Sequence, residues 1–150
     1  MPEARAHAVL AFDFGLKRIG MAAGDTVTAT ASPRPAAAVH ASGPDWIAIG
    51  REISALRPHV LVVGVPYNAD GTAGALTDAA RRFAAALRER FGLSVEHVDE
   101  RFSSIEAESR LRERRGAGLQ RRRVRREDID STAATVILER WLAGERDHGT

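Results

Sequence analysis

The stretch AVLAFDFG, from Ala8 to Gly15, sets the fold. Its apolar residues alternate around a single acid, Asp13, between Phe12 and Phe14, and Gly15 is a stop; this is the pattern of a central strand. Working outward, Ile19–Gly24 predicts a second short strand, with Lys17 and Arg18 in the tight turn between the two. Val27–Val39 is broken by Pro33 and Pro35, which suits an irregular third strand at a sheet edge. Further along, His59–Val65 is a continuous run rich in β-branched residues, as in a strand buried on both faces. An alanine-rich helix follows the loop Pro66–Gly71, with a core stripe of Leu76, Ala79, Ala80, Phe83, Leu87 and Phe91, and Gly92 ends it. Ser94–Val98 is the next strand. Strand, helix and strand in close succession imply a parallel, right-handed βαβ unit.

Pro44 suits the first turn of a helix whose apolar residues are Trp46, Ile47, Ile49, Ile53 and Leu56, and Pro58 stops it. Ser103 to Glu106 matches a capping box, so a further helix is expected through Leu111 toward Arg114. The last helix begins near Asp128 and buries Ala133, Ala134, Ile137, Leu138 and Trp141. Residues 144–150 are expected to form a disordered polar tail. An antiparallel meander leading into βαβ and more helices makes residues 1–150 one α/β domain, three layers with a mixed central sheet flanked by helices.

At 150 residues with 44% hydrophobic and 28% charged content, the chain can bury a core without staples. It has no cysteine, which excludes disulfides and thiolate metal sites. The longest apolar run, Val60–Val65, is far too short to cross a bilayer, and the N-terminal run Ala8–Phe12 is too short for a secretory signal. No membrane partner and a cytoplasmic location are therefore expected. Net charge is only +2, yet nine arginines and a single acid, Glu113, fall between Arg110 and Arg126. Such a run is either a solvated loop or an element that contacts a polyanion.

Three acidic positions stand apart from the rest. Asp13 interrupts a core strand, Asp99-Glu100 ends the strand after the crossover, and Asp130 opens the last helix. Each has an ordinary explanation alone: Asp13 pairing with Lys17 or Arg18, Glu100 bridged to Arg101, Asp130 favouring a helix dipole. Together they differ, because acids at strand ends of an open α/β sheet face the ligand crevice. Clustered carboxylates raise one another's pKa unless a hard cation neutralises them. Mg²⁺ and Mn²⁺ suit such oxygens, and two ions about 3.5–4 Å apart clamp the attacking and leaving oxygens of a phosphodiester displacement. The histidines, His7, His40, His59, His97 and His148, show no ligand spacing. Asp13-Phe14-Gly15 also occurs in protein kinases, but their glycine-rich loop and His-Arg-Asp motif are missing here.

Four blocks resemble one family in order: Asp13-Phe14-Gly15 with Lys17-Arg18-Ile19-Gly20; Val63-Gly64-Val65-Pro66 with Asn68, Asp70, Gly71 and Thr72; Asp99-Glu100-Arg101 with Ser103 and Ser104; and Asp130-Ser131 with Ala133-Ala134. The chain is similar to the YqgF (RuvX) proteins, the pre-16S rRNA nucleases also called Holliday-junction-resolvase-like, of the ribonuclease H-like superfamily. The resemblance implies a ribonuclease H-like fold and a metal-holding catalytic trio of Asp13, Glu100 and Asp130, with Mg²⁺ or Mn²⁺. Asp130 is preferred to Asp128 because Ser131, Ala133 and Ala134 follow it directly. Lys17 and Arg101 are expected to meet substrate phosphates, Asn68 and Thr72 to line the groove, and Arg121, Arg122 and Arg123 to grip a nucleic-acid backbone. The implied activity is phosphodiester hydrolysis in 5′-end maturation of pre-16S rRNA, with ribosomal particles as possible company, by a monomer or weak homodimer. Two alternatives stay open: a structure-selective endonuclease on branched DNA, and a non-catalytic RNA- or ribosome-binding module. With 5% aromatic residues, a base-stacking platform is not expected.

Overall fold

A computed structural model of the chain describes residues 7–68, 70–99 and 126–144, with the backbone alone over 126–130. The strands are β1 (Ala8–Phe14), β2 (Arg18–Asp25), β3 (Thr30–His40), β4 (Gly43–Pro44), β5 (Val60–Val65) and β6 (Ser94–Asp99). The helices are α1 (Trp46–Leu56), α2 (Ala75–Phe91) and α3 (Arg126–Leu142). The sheet order is β4-β3-β2-β1-β5-β6. β1 pairs antiparallel with β2 and parallel with β5, and β5 pairs parallel with β6, so the sheet is mixed.

Alternation along the strands sorts side chains into two layers. Leu10 and Phe12 of β1, Ile19 and Met21 of β2, and Leu61 and Val63 of β5 pack with Ile49 of α1 and Phe83, Ala84 and Leu87 of α2. The alternate residues Val9, Ala11, Ala22, Val60, Val62 and Val98 pack with Ala134, Ile137, Leu138 and Trp141 of α3. The helices on both faces explain why Val60 to Val65 are buried throughout. On the α3 face β2 presents Arg18 at its start and then Gly20, Ala22 and Gly24, which lets the helix lie close over the later part of the strand: a Cβ built at Gly24 would meet Leu138 at 2.6 Å.

β1, β5 and β6, the parallel βαβ unit and the buried residues of α3 follow the sequence expectations closely. β3 tolerates Pro33 and Pro35 because its outer neighbour β4 pairs only with Val39 and His40. Three expectations need correction. Pro44 belongs to β4, and the cap of α1 is Asp45, whose Oδ1 accepts from the Ala48 N–H at 3.1 Å. Leu76 is exposed, and Thr77 takes the buried place in the first turn of α2. α3 starts at Arg126, so Asp130 lies beyond its first turn, where the helix dipole has little hold on a carboxylate. Gly92 ends α2 in the left-handed conformation, as expected of it. Gly144, at positive φ, closes α3 with its N–H on the Trp141 carbonyl. The capping-box helix after Ser103, the arginine loop and residues 145–150 lie outside the described residues.

Leu138→Ala should lower stability by about 3 kcal/mol, the usual loss for a fully buried leucine. Leu76→Ala should change it by less than about 0.5 kcal/mol. Urea denaturation of both variants checks the assignment of the two leucines.

Candidate active site

β1, β5 and β6 run parallel, so their carboxyl ends meet at one edge of the sheet. Asp13 stands at that edge of β1, half-buried, two residues past Ala11 and therefore on the α3 face. Its register partners are Gly20 on β2 and Gly64 on β5. Neither partner has a side chain, while Arg18, two residues before Gly20 on β2, shares this face and has a buried guanidinium nitrogen. A carboxylate is the donor a hard cation favours.

The turn after β1 is tight enough to demand glycine. A Cβ at Gly15 would sit 2.6 Å from the Arg18 carbonyl oxygen. That turn exposes Lys17 at the same edge, and the Lys17 carbonyl accepts from the Val39 N–H at 2.9 Å. Beyond β5, Tyr67 and Ala73 form an isolated antiparallel bridge, and the chain between them is knotted by its own side chains. Asn68 Nδ2 donates to Thr72 Oγ1 at 2.9 Å, and Thr72 Oγ1 donates to Asp70 Oδ1 at 2.7 Å. Gly71 turns the loop at φ 91. Asn68 and Thr72, singled out as groove residues, are thus brought together at the edge, and their first role is to shape this loop.

On β6, alternation puts Val98 on the α3 face with Glu96, whose Oε1 accepts from Trp141 Nε1 at 3.0 Å. His97 and Asp99 belong to the other face, with Val95. This agrees with His97 being a strand residue, and it sets Asp99 apart from Asp13. Arg140 Nη1 donates to the Asp99 carbonyl at 3.2 Å, a second tie from α3 to the end of β6. Residue 130 and Asp13 lie on the same side of the sheet, because α3 covers β1, β2 and β3 on that side. Glu100, Arg101, Arg121, Arg122 and Arg123 lie outside the described residues, as does the side chain of Asp130. Among the described residues no three acidic or imidazole side chains form a metal-binding group.

Sequence reading missed two hydroxyls. Thr77 Oγ1 accepts from the Gly74 N–H at 2.9 Å and donates to the Pro66 carbonyl, which fastens the loop to α2. Ser131 Oγ donates to the Arg34 carbonyl of β3 at 2.7 Å. A polar residue among small apolar ones at helical spacing was the available signal for both.

The family model described as "RuvX: Holliday junction resolvase" matches residues 7–144. The chain belongs to this family. A relative from Nitrosococcus oceani, named "Putative pre-16S rRNA nuclease", is 44% identical over 138 residues, covering 92% of this chain and 88% of its own. A relative of the same name from Legionella pneumophila is 45% identical, covering 89% and 93%. Among solved structures, T. thermophilus RuvC in complex with a Holliday junction substrate aligns with a TM-score of 0.53 at 14% identity, over 94% of this chain and 98% of that one. At that identity the likeness is one of fold, and it makes the domain ribonuclease H-like.

Thr72→Val removes the hydroxyl that links Asn68 to Asp70. Amide exchange of Asn68 and Gly71 should rise roughly tenfold, while the global denaturation midpoint barely moves. Hydrogen exchange read by NMR checks this.

Proposed function

We propose that this protein is a divalent-metal-dependent nuclease that hydrolyses phosphodiester bonds in 5′-end maturation of pre-16S rRNA. The observation that carries the proposal is the position of Asp13 on the α3 face between two glycines, at the edge where three parallel strands end. Asp13, Glu100 and Asp130 are the residues proposed to hold Mg²⁺ or Mn²⁺. Helical spacing supports Asp130 over Asp128, since position 130 is four before Ala134 and seven before Ile137, both buried on the sheet. Glu100 is the residue that follows β6 and comes two after Val98. The ions would supply Lewis-acid activation of water and charge neutralisation at the scissile phosphate.

The protein's own groups have distinct tasks. The carboxylates share the cation load, and Gly20 and Gly64 add no side chain of their own beside Asp13. Lys17 and Arg101 meet the phosphates flanking the cut. The loop from Asn68 to Thr72 borders the substrate path. Arg121, Arg122 and Arg123 hold the nucleic-acid backbone, so binding weakens steeply with salt.

Precursor ribosomal RNA is favoured over branched DNA because the relatives at 44–45% identity carry that name, whereas RuvC shares the fold alone. Ribosomal particles are the natural setting of such a substrate, and the cytoplasm its compartment. No helix among the described residues is long and apolar enough to cross a membrane. A monomer or weak homodimer fits the large exposed apolar side chains, since Leu16, Val27, Ile47 and Leu76 stand on separate turns and helices.

Purified protein with Mn²⁺ should cleave a precursor 16S rRNA fragment and leave a four-way DNA junction intact. Cleavage of the junction alone would instead make it a resolvase, and salt-sensitive RNA binding without cleavage would make it a binding module. Asp13→Asn should reduce cleavage by at least about a thousandfold with an unchanged circular dichroism spectrum. An active variant would remove Asp13 from the chemistry.

A further inference from the structure

Ser131 and Thr77 are the buried polar side chains among the described residues. A buried hydroxyl needs a partner, and the partner tells what it fastens. Thr77 bonds within the loop between β5 and α2. Ser131 reaches between layers, from α3 to a carbonyl 97 residues away in the chain. That carbonyl belongs to Arg34, whose side chain leaves toward the other layer and pairs with Glu52 of α1, Nε to Oε1 at 2.7 Å. One residue of β3 is therefore fixed to the helices on both sides of the sheet.

Much of the contact between α3 and the strands beneath it is apolar. Ala134, Ile137 and Leu138 share a buried cluster with Ala22 of β2, whose neighbours along that face are Gly20 and Gly24. Apolar packing is non-directional, so it holds the helix down without fixing how it slides or rolls. Directional bonds do that. At the far end Trp141 bonds Glu96 and Arg140 bonds the Asp99 carbonyl; toward the start, Ser131 bonds the Arg34 carbonyl.

We infer that Ser131 is a positioning residue for Asp130: its bond to the Arg34 carbonyl sets where residue 130 stands over the sheet relative to Asp13. The inference rests on the metal site proposed above. A site of this kind tolerates displacements of only about 0.5 Å in its ligands, so loss of one directional tie weakens cation binding before it unfolds the helix. Thr135 offers the matched control. Its hydroxyl donates to the Ser131 carbonyl at 2.8 Å inside the helix and ties α3 to no other element.

The test is Mn²⁺ binding by the full chain, followed through the electron paramagnetic resonance signal of the free ion, beside thermal melts. S131A should bind Mn²⁺ roughly 10- to 100-fold more weakly, and T135A should stay within about twofold of the wild type. Saturating Mn²⁺ should restore much of the cleavage rate of S131A. S131C keeps a weaker donor and should fall between, and it decides the matter where S131A fails to fold. Equal affinity of wild type and S131A overturns the role of Ser131 while leaving the metal site intact. A loss in T135A as large as in S131A overturns it too, since general softening of the helix would then suffice. If the wild type binds no Mn²⁺, or D13N binds as well as wild type, the metal site itself falls.

Discussion

The seating of α3 on one face of the sheet is the constraint on which the rest of the molecule depends. The opposite face is covered by two helices and an aromatic cluster in which Phe83 contacts Phe12, Phe14 and Trp46, with ring centroids 5.2 to 5.7 Å apart. Among the described residues the other face has α3 alone. Its apolar stripe therefore has to cover β1, β2 and β5 together, and the run Gly20, Ala22 and Gly24 of β2 lets it come close. Close approach brings dispersion contact and water exclusion at once. It also carries the backbone of residue 130 to the face on which Asp13 stands.

Asp13 shows how a charge is accommodated within so apolar a frame. Val9 and Ala11, which precede it on the same face, are fully buried. A carboxylate one step further along the stripe would be costly to desolvate. Its place at the strand end, between two glycines, keeps it half-buried. In the proposed function, the same glycines border the carboxylate that would hold a cation.

The sheet edge is stiffened by polar ties that hydrophobic packing could not supply. Thr77 fastens the loop after β5, Asn68 and Thr72 brace it, and Arg140 holds the end of β6. The bonds of Thr77 and Arg140 join a loop or strand end to a neighbouring helix, where the sheet ladder has run out and backbone groups would otherwise need water. Rigid scaffolding of this sort is what lets side chains borne on different elements meet a substrate in one geometry.

Most of the fold was legible in the chain because two periodicities carry it. Alternation marked β1, the unbroken run marked β5, and helical spacing marked the buried residues of α3. The position of Asp13 was equally plain, since an acid amid Phe12 and Phe14 breaks a local pattern. What the chain alone did not disclose depends on partners distant in sequence. The burial of Thr77 in place of Leu76 follows from the Pro66 carbonyl, and the role of Ser131 follows from the Arg34 carbonyl. The glycine flanks of Asp13 emerge only from strand register, which pairs residues 13, 20 and 64. Local sequence fixes periodicity because it reflects each residue's own backbone. Register and cross-layer bonds are settled only by tertiary contact, where the partner is chosen by geometry and not by proximity along the chain.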